Sequence, residues 1–204
     1  LRQRKQRQQE RLESIVCRLK SGLCGDCSRS FRSEAMHFDH RPDEVKVFHI
    51  SALVYRACSV EKLLLEIGKC DLVCVGCHRA RTASRVIRMD RYSCKSHPAH
   101  VVSCRMCGIA DRRRTRSSVL RRKVSDLKKD RPCSDCGTSF DPLLMDWDHR
   151  PEETKLIDIA SAVSGGWRFD KIEAEMSKCD LVCCWCHVER TSSRQEGGVL
   201  SRTG

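Results

Sequence analysis

Two Cys-x-x-Cys pairs, Cys24/Cys27 and Cys74/Cys77, bracket an Asp-His dipeptide, Asp39-His40, and a further histidine, His78, follows directly. The same arrangement returns at a shift of 109 residues as Cys133/Cys136, Asp148-His149, Cys183/Cys186 and His187. Across residues 24–85 and 133–194 roughly 28 of about 62 paired positions are identical, without a gap. The identities concentrate on residues that bind metal or move protons, so the chain is a tandem duplication whose chemistry is more legible than its fold.

Four thiolates per copy suit tetrahedral zinc with no position left for a substrate, which makes these sites structural. Disulfides are the competing reading. The absence of an apolar leader, and the His and Asp beside the cysteines, favour a reduced, intracellular metal protein. Cys70 and Cys179 also recur, but a fifth thiolate is surplus to a tetrahedral site, so they read as small buried residues. Asp39 with His78, and Asp148 with His187, offer a carboxylate and a neutral imidazole. Such a pair can hold one divalent cation and leave positions for water and a phosphate oxygen. His40 and His149 point away from their aspartate neighbours along a strand and are left to act as bases. His37 and His49 are replaced by Asp146 and Asp158, and stand outside this set.

Several elements must position these groups. Leu12, Ile15, Val16 and Leu19 fall at helical spacing, as do Val119, Leu120, Val124 and Leu127, so a basic amphipathic helix precedes each copy. Met36 and Phe38 alternate with polar residues up to Asp39-His40, as Met145 and Trp147 do up to Asp148-His149, which predicts a short strand. Residues 41–44 read as a turn, 46–50 as the returning strand, and 59–68 as a helix. In the second copy Asp170 to Glu173 has the form of a capping box. A last helix opens at the histidine after the second knuckle.

The chain of 204 residues carries a formal charge of +12, 16 cysteines and only 5% aromatic residues, with a mean hydropathy of −0.49. Units this small and polar bury too little to be stable without staples. With eight thiolates and two zinc ions the charge is still about +8, which makes a polyanion the natural partner. Basic residues cluster in 2–11 and 112–131, ahead of each copy, and read as phosphate contacts or as solvated helix faces. No apolar run approaches the roughly 18 residues that span a bilayer. The expected organisation is a basic helix and first unit in 1–85, a linker in 86–110, a second helix and unit in 111–194, and a flexible tail in 195–204. Within the linker, Cys94, His97, His100, Cys104 and Cys107 either hold a third zinc or are spare thiols in a bland connector.

The paired knuckles, the Asp-His dipeptide and the late histidine resemble the HNH endonuclease family, the ββα-metal nucleases, and especially its subgroup with two Cys-x-x-Cys knuckles. The resemblance covers nearly all of residues 24–85 and 133–194. It implies an α+β fold of two zinc-stabilised ββα-metal units and a metal-dependent DNA endonuclease. His40 and His149 would be the general bases, with Asp39, His78, Asp148 and His187 on a catalytic Mg²⁺, Mn²⁺ or Zn²⁺. The family's middle Asn is missing: Gly76 and Trp185 stand where it is common, and Asp71 and Asp180 either substitute for it or cap the knuckle turn. Lys46, Lys69, Arg81, Arg85, Lys155, Lys178, Arg190 and Arg194 persist in both copies and are expected on phosphates. DNA is the expected partner, with no membrane and no oligomer required. The alternatives are a non-catalytic zinc module that binds nucleic acid, and a zinc-stapled protein adaptor.

Overall fold

The computed structural model describes residues 2–85, 97 and 103–200. The chain is α+β and divides into two compact units, residues 1–82 with 191–204, and residues 83–190. The first copy runs α1 (Arg2–Leu19), β1 (Met36–His40), α2 (Ile50–Tyr55), α3 (Val60–Ile67), β2 (Cys70–Cys74) and α4 (Val75–Arg85). The second repeats the order as α5 (Arg105–Asp126), β3 (Met145–His149), α6 (Ile159–Gly165), α7 (Phe169–Met176), β4 (Cys179–Cys183) and α8 (Cys184–Leu200). Helix α5 therefore begins inside the segment expected to be linker.

Strand β1 forms where the alternation predicts it, but its partner does not. Residues 46–49 make no strand, and β1 pairs antiparallel with β2, from Met36↔Cys74 to His40↔Cys70. The reason is a side chain: the Glu66 carboxylate accepts from the amides of Val47 and Phe48 at 2.9 and 3.2 Å, taking the place of a ladder partner. Strands β3 and β4 pair in the same register, Met145↔Cys183 to His149↔Cys179, and Glu175 binds the amides of Leu156 and Ile157. Two further expectations change. The capping box at Asp170 does not form, because the N-cap of α7 is Arg168, whose guanidinium holds Asp170 at 3.1 Å. Helices α4 and α8 start directly after Cys74 and Cys183, so Cys77, His78, Cys186 and His187 lie in their first turns.

A two-stranded ribbon is marginal by itself. Here each copy adds a small helical core, and in the second Cys179 and Trp147 of the ribbon pack into it. Leu12, Leu53 and Leu63, from α1, α2 and α3, are fully buried and meet Ile15, Val16 and Phe48. In the second copy Leu120 and Val124 pack with Ile159, Ala162, Val163, Ile172 and Met176. The basic helices thus bury a narrow apolar stripe and leave their Arg and Lys to solvent. Leu12 and Val16 precede their equivalents Leu120 and Val124 by 108 residues rather than 109, so the second copy has one residue more between helix and knuckle. The turn before its knuckle holds Asp130 in the left-handed region at φ 57°.

Candidate functional site

The first metal centre is assembled by chain geometry alone. Cys24 and Cys27 lie in a tight turn whose Gly25 amide donates to Leu72 O, and β2 delivers Cys74 opposite them. The Sγ atoms of Cys24, Cys27, Cys74 and Cys77 all lie within 4.8 Å of one another, as do those of Cys133, Cys136, Cys183 and Cys186. Backbone amides point at the sulfurs: Cys74 N donates to Cys24 Sγ at 3.2 Å and Cys183 N to Cys133 Sγ at 3.2 Å. Burial opposes ionisation of Cys24, but the amides of Cys27, Cys74 and Asp26 bring its thiol down to about 6. The same balance brings Cys133 to about 7. A thiolate is therefore ready at the start of each cluster, and four sulfurs at this separation fit one tetrahedral zinc.

Cys70 and Cys179 stand apart from both clusters. Burial pushes each thiol up to about 11, and each donates to the carbonyl of Glu66 or Glu175 at 3.4 Å. A third group, His97, Cys104 and Cys107, also has its ligand atoms within 4.8 Å of one another. Cys104 is the N-cap of α5 and Cys107 is fully buried in its first turn. Cys94 and His100 lie outside the described residues.

The strand pleat separates the Asp-His pair. Asp39 points toward α4, where its Oδ1 is 3.5 Å from His78 Nε2; Asp148 Oδ1 is 3.6 Å from His187 Nε2. These separations are long for a hydrogen bond and suit two ligands of one cation. Asp39 and Asp148 are buried, while His78 and His187 are each 36% exposed by side chain, so the pair opens to solvent on the histidine side. His40 turns to the opposite face, where its Nε2 lies 2.9 Å from Glu66 Oε1, as His149 Nε2 does from Glu175 Oε1. Burial would raise Glu66, but Lys69, the amides of Phe48 and Val47, and His40 outweigh it and hold the carboxyl near about 2. Glu175 is held near about 2 by the equivalent groups. An ionised carboxylate only accepts, so Nε2 of each histidine donates this bond and Nδ1 is the ring nitrogen turned away from the glutamate.

Sequence reasoning missed Glu66 and Glu175. On a helix they resemble ordinary solvent-face charges, yet both copies keep them three residues ahead of a lysine. It also missed what the arginines common to both copies do. Arg81 Nη1 reaches Asp71 Oδ2 at 2.8 Å and Asp39 Oδ2 at 3.2 Å, while its Nε donates to Asp26 at 2.8 Å. Arg190 does the same with Asp180, Asp148 and Asp135. Lys69 and Lys178 are held by Glu66 and Glu175 at 3.0 and 2.8 Å. These four cations, expected on phosphates, are committed to carboxylates of the fold. Lys155 pairs with Asp158, and Lys46, Lys155, Arg85 and Arg194 are all exposed.

Asp71 and Asp180 sit in mid-strand, directly across the ladder from Asp39 and Asp148, and so do not cap the knuckle turn. Gly76 is buried in the first turn of α4 and Trp185 packs on Phe140 at 5.3 Å, so neither supplies a ligand in place of the missing Asn. Away from these centres, Arg4, Lys5, Arg7, Arg11 and Arg56 line a cleft of about 880 Å³ between α1 and the α2–α3 turn. Among the described residues no helix is long and apolar enough to cross a membrane. No protein-family model, no curated protein and no solved structure matches this chain.

Proposed function

We propose that the protein is a metal-dependent DNA endonuclease of HNH type, built from two zinc-stapled copies. The reading is carried by one observation: in both copies a buried aspartate and a half-exposed histidine stand 3.5 to 3.6 Å apart beside a four-cysteine cluster. Asp39 and His78, or Asp148 and His187, would hold the divalent cation, and the donor set of one carboxylate and one imidazole fits Mg²⁺, Mn²⁺ or Zn²⁺. A cation bound there supplies Lewis-acid stabilisation of charge on the phosphate and the leaving oxygen.

The chain's own residues do the rest. Glu66 fixes the His40 ring and keeps the proton on Nε2, so Nδ1 is the atom that accepts a proton from the attacking water. Lys69 and the two amides hold Glu66 ionised and in place. The cationic cleft on α1 draws in the phosphate backbone, with affinity that falls as salt rises.

A second reading, a non-catalytic zinc module that binds nucleic acid, is favoured by the 3.2 Å contacts of Arg81 on Asp39 and Arg190 on Asp148, because a guanidinium competes with a cation for the carboxylate. Incubating purified protein with supercoiled plasmid in Mg²⁺, Mn²⁺ or EDTA separates the two. Nicked or linear DNA that requires metal supports the endonuclease; intact plasmid bound in a salt-sensitive complex supports the module.

A further inference from the structure

His78 and His187 occupy the same place in the repeat, but the residues behind them differ. The ring of His78 stacks on His37, with centroids 5.2 Å apart and planes 5° from parallel. In the second copy residue 146 stands where 37 does in the first, and Asp146 Oδ2 lies 2.9 Å from His187 Nδ1. A carboxylate can only accept from the ring, so Nδ1 donates this bond and Nε2 is the atom turned toward Asp148. Stacking on His37 imposes no tautomer on His78. Carboxylate support of this kind orients a ligating imidazole, raises its basicity and adds negative charge near the cation.

A second difference lies beside the same residues. His187 and Asp146 line a cavity of about 360 Å³ with Trp147 and Val163, and Arg121 and Lys128 stand on its wall. The volume is within the range of small-ligand sites, and its two cations are balanced by the carboxylates of Asp146 and Asp158.

Resting on the proposed function, we infer that the copies are not equivalent: the second copy holds the divalent cation tightly, and Asp146 is the residue that positions His187 for it. The first copy, with His37 in that place, holds the cation weakly.

The test is a Mn²⁺ titration of the full chain with its cysteine sites loaded with zinc, followed by electron paramagnetic resonance of the free ion. One tight site per chain is expected. Asp146→His should weaken it roughly 10- to 100-fold, the usual effect of removing such support, with circular dichroism and zinc content unchanged. Asp146→Asn keeps the size and an acceptor for Nδ1 but loses the charge; it should weaken the site less, and it serves if the first variant misfolds. His37→Asp should create a second tight site. Two equal sites in the wild type, or a tight site indifferent to both Asp146 variants, would overturn the inference and leave the endonuclease reading standing. No Mn²⁺ bound at either copy would remove both.

Discussion

Asp39 and Asp71 stand directly opposite each other across the β1–β2 ladder, and the guanidinium of Arg81 bonds to both. Two carboxylates in a cross-strand pair repel, so Arg81 is what makes this register tolerable. Arg81→Ala should destabilise the first unit by about 2 kcal/mol, since it takes the guanidinium from the buried Asp39, while Asp71 keeps Arg41 at 3.6 Å. DNA affinity should change little, whereas replacing Arg4 and Arg7 should weaken binding and flatten its salt dependence. Denaturation midpoints and fluorescence anisotropy check both; a large affinity loss with unchanged stability in Arg81→Ala would return that residue to the phosphate surface.

The buried carboxylate of Glu66 serves His40, Lys69 and two loop amides at once. Glu66→Ala should cost about 3 kcal/mol, because the amides and the lysine are left without their acceptor. Urea unfolding measures it. Glu66→Gln should recover part of the stability, as its amide oxygen still accepts, yet it should not restore the role of His40, whose tautomer is no longer dictated.

The same residue explains why the sequence was read only in part. The cysteine clusters and strand β1 are legible because metal ligation demands particular residue types at particular spacings and because alternation marks a half-buried strand. The returning strand was misplaced because residues 46–50 have the composition of a strand while Glu66, 16 to 20 positions away, takes up their amides. Identity between copies sets the His37/Asp146 position aside because the two residues differ, whereas the structure places Asp146 on His187. Arg81 is expected on a phosphate because nothing local to it reveals the three aspartates that converge on it, Asp26, Asp39 and Asp71.

Purified protein should carry two tightly bound zinc ions per chain, with a third, more easily chelated, at His97, Cys104 and Cys107. Elemental analysis before and after mild chelation counts them. Cys24→Ser or Cys74→Ser should remove one tight equivalent and unfold the first unit, while Cys107→Ser should remove only the labile one. Less than one zinc per chain, with the cysteines paired as disulfides, would overturn the metal centres.

Cys70 and Cys179, with thiols near about 11, should resist alkylation at pH 8, by roughly 100-fold relative to an ordinary cysteine. Between pH 9 and about 11 the folded state keeps a proton that the unfolded state has lost, so each contributes a fall in stability as pH rises through that window and none below it. Mass spectrometry of iodoacetamide adducts in zinc-loaded protein reads the first effect. Rapid labelling of Cys70 at pH 8 would contradict the burial that shifts it.

The most direct measurement is plasmid cleavage by the double variant His40→Ala/His149→Ala. Asp39, His78, Asp148 and His187 remain in it, as do the cysteines, so zinc content, Mn²⁺ binding and DNA affinity should survive once folding is checked by circular dichroism. Loss of the groups that accept the proton from water should lower the metal-dependent cleavage rate by roughly 10² to 10⁴-fold. Undiminished cleavage by the folded double variant, with contaminating nuclease excluded, would contradict the assignment of His40 and His149 and with it the HNH mechanism.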